Sequence, residues 1–135
     1  MNQENTRRLL TRFPLIFQEY NLPVTDTAMC WGFECGDGWY WLIDGLCAAL
    51  QFDIDENDQP QIVASQVKEK YGTLRFYTNS ETDRQSGMIR LAQLMSERIC
   101  ELCGSPSGKL AEVSGWWSTK CDWCASKEAA NINGS

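Results

Sequence analysis

An α+β fold is predicted by two changes of period along the chain and by one cysteine pattern. Apolar residues recur at helical spacing at Trp39, Leu42, Ile43, Leu46, Cys47 and Leu50, and again at Met88, Leu91, Ala92, Met95 and Ile99. Between these stretches Leu74 and Phe76 alternate with Arg75 and Tyr77, the two-residue period of a strand. Near the C-terminus, Cys100-Glu101-Leu102-Cys103 and Cys121-Asp122-Trp123-Cys124 form two CxxC pairs with 17 residues between them. That is the spacing of a four-thiolate zinc ribbon. The expected architecture is a small antiparallel sheet packed against about three helices, ending in such a ribbon.

The elements follow in order. Leu9, Leu10, Phe13, Ile16, Phe17 and Tyr20 keep helical spacing, but Pro14 removes a backbone donor and clashes with the preceding turn, so this helix breaks or kinks there. Trp31 to Gly38 reads as a glycine-punctuated turn with buried aromatics. After the helix at Trp39 to Leu50, Phe52 and Ile54 alternate with Asp53 and Asp55, a polar stretch covers Glu56 to Gln59, and Ile62 to Val67 follows Pro60. This pattern predicts a hairpin. A further strand is expected at Thr73 to Thr78, and a last helix from Asp83 or Ser86 to Ile99 that packs its apolar stripe on the sheet. The division is an α+β core at 1–99, a ribbon at 100–127 appended to the same domain, and a flexible tail at 128–135. A chain of 135 residues is long enough to bury about two-thirds of its unfolded surface as one domain, so the ribbon is an appendage on a core.

Each CxxC brings two sulfurs onto one ion from a tight turn, and the intervening segment is long enough for a hairpin to unite the pairs in a tetrahedron. Cys100, Cys103, Cys121 and Cys124 are the expected metal ligands. The site is expected to be closed and structural, because catalytic zinc keeps a position open for water and usually takes imidazole ligands, and the chain has no histidine. Disulfides, a redox pair and an iron–sulfur cluster are the rival uses of these sulfurs. Cys30, Cys35 and Cys47 leave an odd number, which is unfavourable for a secreted disulfide framework. The polar start and the lack of any long apolar run predict a cytoplasmic protein with no membrane partner. Cys47 lies on an apolar stripe and reads as a small buried hydrophobe.

Charge narrows the class of function. Seven acidic residues and no lysine or arginine lie between Trp31 and Pro60, within a total net charge of −6. Such a field repels phosphate backbones, and the C-terminal cations are interleaved with acids, so nucleic acid ranks below protein as an expected partner. Asp53, Asp55, Glu56 and Asp58 are expected to present carboxylates to a basic surface of a partner protein. Their alternate spacing suggests a calcium loop, but Asp58 stands where that loop needs glycine and Ala64 where it needs a bidentate glutamate. Trp116 and Trp117 are adjacent, so in a strand one of them must be exposed, beside the metal knuckle, as a hot spot for a partner. Without histidine, phosphate loops or paired carboxylates, catalysis has little support, and the chain is not expected to be an enzyme.

Trp31-Gly32-Phe33-Glu34-Cys35-Gly36-Asp37-Gly38-Trp39, then Gln66 to Tyr77 with its Lys68-Glu69-Lys70-Tyr71-Gly72-Thr73 core, then the CxxCG…GW…CxxC ending resemble a family of small uncharacterised bacterial and phage or prophage proteins. The resemblance covers residues 30–125 and carries no activity with it. By analogy with small acidic phage proteins, it implies a stoichiometric binder, possessing zinc and inhibiting a host defence protein. A nucleic-acid-binding or transcription-associated ribbon is the alternative.

Overall fold

A computed structural model describes residues 1–133 and gives an α+β fold. Helix α1 (Gln3–Arg12) starts at Asn2, whose side chain accepts the Asn5 N–H at 2.8 Å, and stops at Phe13, before Pro14. Two short 3-10 turns lead to strand β1 (Phe33–Glu34), and a third, Asp37–Trp39, leads into helix α2 (Tyr40–Asn57). Strands β2 (Ala64–Lys70) and β3 (Thr73–Thr78) form an antiparallel hairpin, and helix α3 (Asp83–Met95) follows. Tyr71 and Gly72 both have positive φ, at 52° and 81°, as a two-residue hairpin turn matched to strand twist requires. A Thr82–Gln85 capping box opens α3, and the turn Ser96–Arg98 closes it. Strands β4 (Lys109–Val113) and β5 (Trp116–Lys120) make a second hairpin, and helix α4 (Asp122–Asn133) ends the described chain.

The larger sheet has the order β1-β2-β3, with β1 parallel to β2, so it is mixed where an antiparallel sheet was expected. Its β3 edge is closed by side chains: the Leu74 N–H donates to Ser96 Oγ at 2.9 Å and the Phe76 N–H to Gln93 Oε1 at 3.2 Å. A sheet edge satisfied this way offers no ladder to another chain. The core lies between this sheet and the helices, with Leu9, Ile16, Met29, Trp39, Ile43, Leu50, Val67 and Leu74 fully buried in it.

The hairpin expected after Leu50 is a helix. Leu46, Leu50, Asp53 and Ile54 share the buried face of α2, so the four-residue alternation at Phe52 to Asp55 is a short sample of helical spacing. Asp53 is only 4% exposed. Its carboxylate accepts from Asn57 Nδ2 at 2.7 Å, Gln85 Nε2 at 3.1 Å and Arg84 Nη1 at 3.2 Å, joining α2 to the start of α3. It therefore presents no carboxylate to a partner, whereas Asp55, Glu56 and Asp58 are exposed. The tail expected at 128–135 also begins in a helix. Ala129 and Ala130 favour α4, and Lys120 bonds the Glu128 carboxylate from the strand before it; Gly134 and Ser135 lie outside the described residues. Among the described residues, no helix is long and apolar enough to cross a membrane.

Asp53→Ala leaves the buried Gln85 amide without an acceptor, and should cost about 2–3 kcal/mol in urea unfolding at unchanged m-value. Glu56→Ala, three residues on and exposed, should stay within about 0.5 kcal/mol of the parent.

Candidate metal centre

The first CxxC follows the Ser96–Arg98 turn, and its loop closes on itself. The Gly104 N–H donates to the Cys100 carbonyl at 2.8 Å, and the Cys100 N–H to the Ser105 carbonyl at 2.8 Å. The second CxxC occupies the first turn of α4, where the Cys124 N–H approaches Cys121 Sγ at 3.4 Å. Between them, β4 and β5 pair from Lys109↔Lys120 to Val113↔Trp116 and turn through Ser114 and Gly115, both at positive φ. The hairpin consumes the 17-residue excursion and returns the chain to its starting point.

The four sulfurs of Cys100, Cys103, Cys121 and Cys124 lie within 4.8 Å of one another. Cys103 Sγ and Cys121 Sγ are 3.7 Å apart. A tetrahedron with zinc–sulfur bonds of about 2.3 Å has edges of about 3.8 Å, whereas a disulfide would need about 2.05 Å. The donor set fits a tetrahedral thiophilic ion. Cys100, Cys121 and Cys124 are buried and Cys103 is exposed, so the site is closed on three sides.

Electrostatics points the same way. Burial, reinforced by the sulfurs of Cys121, Cys103 and Cys100, pushes the Cys124 thiol up to about 12. Burial also opposes ionisation of Cys100, but backbone N–H groups of Cys103, Cys121 and Leu102 outweigh it and bring this thiol down to about 7. Four thiolates cannot share so small a volume unless a cation offsets them. Two of the other cysteines are unsuited to this chemistry: burial pushes Cys35 up to about 12 and Cys47 well above its ordinary value.

The cluster is hydrogen-bonded to the core. The Gly38 N–H donates to the Glu101 carbonyl at 2.7 Å, the Gly36 N–H to Glu101 Oε2 at 2.9 Å, and the buried Trp39 Nε1 to the Ile99 carbonyl at 2.9 Å. A Cβ at Gly38 would overlap the Cys100 carbonyl oxygen, so only glycine lets the two backbones approach this closely. On the other side, the Glu101 N–H donates to the Thr119 carbonyl at 3.0 Å, and buried Thr119 Oγ1 donates to the Gly72 carbonyl at 2.7 Å. A Cβ at Gly72 would stand 2.6 Å from Leu110 Cδ1. The Gly36–Trp39 turn and the Tyr71–Gly72 turn thus hold the ribbon from two sides. The spacing of Gly36 and Gly38 marks a turn, but their approach to Glu101, more than 60 positions away, leaves no local signal.

The tryptophans depart from expectation. Trp116 is 80% exposed and Trp117 43%, because the end of the β4–β5 hairpin is uncovered on both faces. Val113, paired with Trp116, is exposed too, and the Trp123 ring carries the Lys127 ammonium at 4.1 Å from its centroid. Asp55, Glu56 and Asp58 sit at the C-terminal end of α2, on a different element from the hairpin. No protein-family model, curated protein or solved structure matches the chain. The kinship suggested by its motifs rests on those residues alone.

Gly38→Ala should destabilise the whole domain by about 3 kcal/mol, since the added methyl meets backbone that cannot yield. Thermal unfolding followed by near-ultraviolet circular dichroism should show the loss as a single transition, with the ribbon and core tryptophans melting together.

Proposed function

We propose that the chain is a non-enzymatic zinc protein that binds a protein partner through the tryptophan-bearing hairpin beside its metal centre. The observation that carries this reading is the exposure of Trp116 and Trp117 on a hairpin whose base is held by four clustered cysteines and by the core. A rigid base lowers the entropy lost when such large side chains are immobilised in an interface. Zinc is the ion favoured by four thiol donors at tetrahedral spacing, and its role is to hold the hairpin.

Asp55, Glu56 and Asp58 add a preference for basic surfaces. They crowd the C-terminal end of α2, where the helix dipole disfavours negative charge, and no basic residue lies in that last turn. With four thiolates and one zinc the formal charge reaches about −8, which accelerates encounter with a cationic partner. A stoichiometric inhibitor of a host protein would have these properties.

One observation favours binding of single-stranded nucleic acid as a second reading. Lys68 and Arg75 stand directly opposite in the β2–β3 ladder, an unfavourable like-charge pair, with Tyr77 on the same face. Among the described residues neither cation lies within ion-pair distance of a carboxylate.

Elemental analysis of protein purified without added metal should find one zinc per chain, lost in Cys100→Ser and Cys121→Ser; iron in its place would overturn the assignment. Chelation should unfold the ribbon, since structural zinc contributes on the order of 10 kcal/mol at neutral pH. A partner captured from bacterial lysate, identified and repurified, should bind with one-to-one stoichiometry. Trp116→Ala should weaken it by about 2 kcal/mol, roughly thirtyfold, without lowering the melting temperature. Sub-micromolar, strongly salt-dependent binding of single-stranded DNA, abolished by Lys68→Glu, would replace this reading with the second.

A further inference from the structure

The four sulfurs of the metal centre are not equivalent. Cys100, Cys121 and Cys124 are buried, whereas Cys103 is exposed, and among the described residues no other cysteine is. Cys103 opens on a cleft of about 320 Å³ whose walls include Arg8, Asp37, Tyr40, Trp41 and Gly104. A ligand set with one sulfur in solvent leaves that atom open to attack while the other three stay sheltered.

Coordination would hold Cys103 as a thiolate, the nucleophilic form of the side chain. A second sulfur stands behind it: Cys121 Sγ is 3.7 Å away on the opposite knuckle, near enough for side-chain rotation to bring the two into bonding contact. An exposed thiolate backed by a resolving cysteine is the arrangement of a reversible oxidation site. Cys30 lacks this arrangement, because it lies outside the cluster, is half-buried, and its thiol donates to the Thr27 carbonyl at 3.4 Å.

The cleft also selects among oxidants. Both of its charged groups are engaged within the chain: Arg8 Nε donates to Glu4 Oε1 at 3.1 Å, and Asp37 Oδ1 accepts from the Asn2 N–H at 2.8 Å and from Asn5 Nδ2 at 3.1 Å. An ionic oxidant entering it would lose water without finding a free counter-charge, whereas a small neutral one would not bear that cost.

We infer that Cys103 is a peroxide-sensitive site, at which a hydroperoxide converts the cluster to a Cys103–Cys121 disulfide and frees the metal ion. The Cys103 thiolate attacks one peroxide oxygen, the S–O bond forms as the O–O bond breaks, and the departing oxygen leaves with a proton as water or alcohol. The Cys121 sulfur then attacks Cys103 Sγ, the S–S bond forms as the S–O bond breaks, and the second oxygen leaves as water with another proton. Two electrons pass from the two sulfurs to the peroxide. Cys100 and Cys124 remain, too few to hold a tetrahedral ion. This chemistry presupposes the bound zinc proposed above.

Metal content measured before oxidant is added keeps the two apart: a chain without zinc overturns both, whereas a zinc-loaded chain that keeps its metal in excess hydrogen peroxide overturns the peroxide site alone. A chromogenic chelator should record one zinc freed for each peroxide consumed. Mass spectrometry of fragmented peptides should find Cys103 joined to Cys121 with Cys30, Cys35 and Cys47 reduced, and a dithiol with added zinc should restore the centre. Cys30→Ser should leave the release unchanged. Iodoacetamide on the unmutated zinc-loaded chain should label Cys103 roughly tenfold or more faster than Cys100, Cys121 or Cys124, a readout that needs no ligand substitution. Zinc release with Cys103 still reduced, a disulfide joining Cys103 to another cysteine, or labelling that begins at a buried ligand overturns the assignment.

Discussion

The backbone of Glu101 is hydrogen-bonded on both sides, its carbonyl accepting from Gly38 and its N–H donating to the Thr119 carbonyl. Its carboxylate is engaged as well, accepting from the Gly36 N–H, so the residue after Cys100 is tied at three points. This places Cys100 against the core and fixes the direction from which β5 returns. The cysteine cluster is a consequence of that joint as much as a cause of it. A metal ion bound there would stabilise a geometry that the core already favours, and removing glycine from the joint would cost the core and the cluster together.

The same joint gives the three sequence motifs a common meaning. The Gly36–Trp39 turn supplies the backbone donors and the indole donor, Gly72 supplies the acceptor for Thr119 and the space for Leu110, and the CxxCG segment supplies the turn between them. Their shared task is to seat a small hairpin on a larger domain, and the surfaces open to a partner lie on other residues.

Those residues are the ones that local rules do not explain. Trp116 and Trp117 are wet on a hairpin tip, acids gather at the unfavourable end of α2, and Lys68 faces Arg75 across a ladder. Folding is served by none of these arrangements. Where a sequence departs from its own local preferences without internal compensation, binding is the usual reason.

The α+β class, the break at Pro14, the strand at Thr73 to Thr78, the α3 helix and the four clustered cysteines are all legible in the chain, because each is written in short-range spacing or in the chemistry of one residue type. Tertiary structure decided whether Phe52 to Asp55 is strand or helix, since four alternating residues satisfy both periods and only the burial of Asp53 against Gln85 and Arg84 selects one. It also decided that both Trp116 and Trp117 are exposed, because alternation says which face a strand residue takes and not whether anything covers that face. The lock between Gly38, Glu101 and Thr119 was beyond sequence reading for the same physical reason: a close approach between backbones distant in the chain leaves no periodic trace.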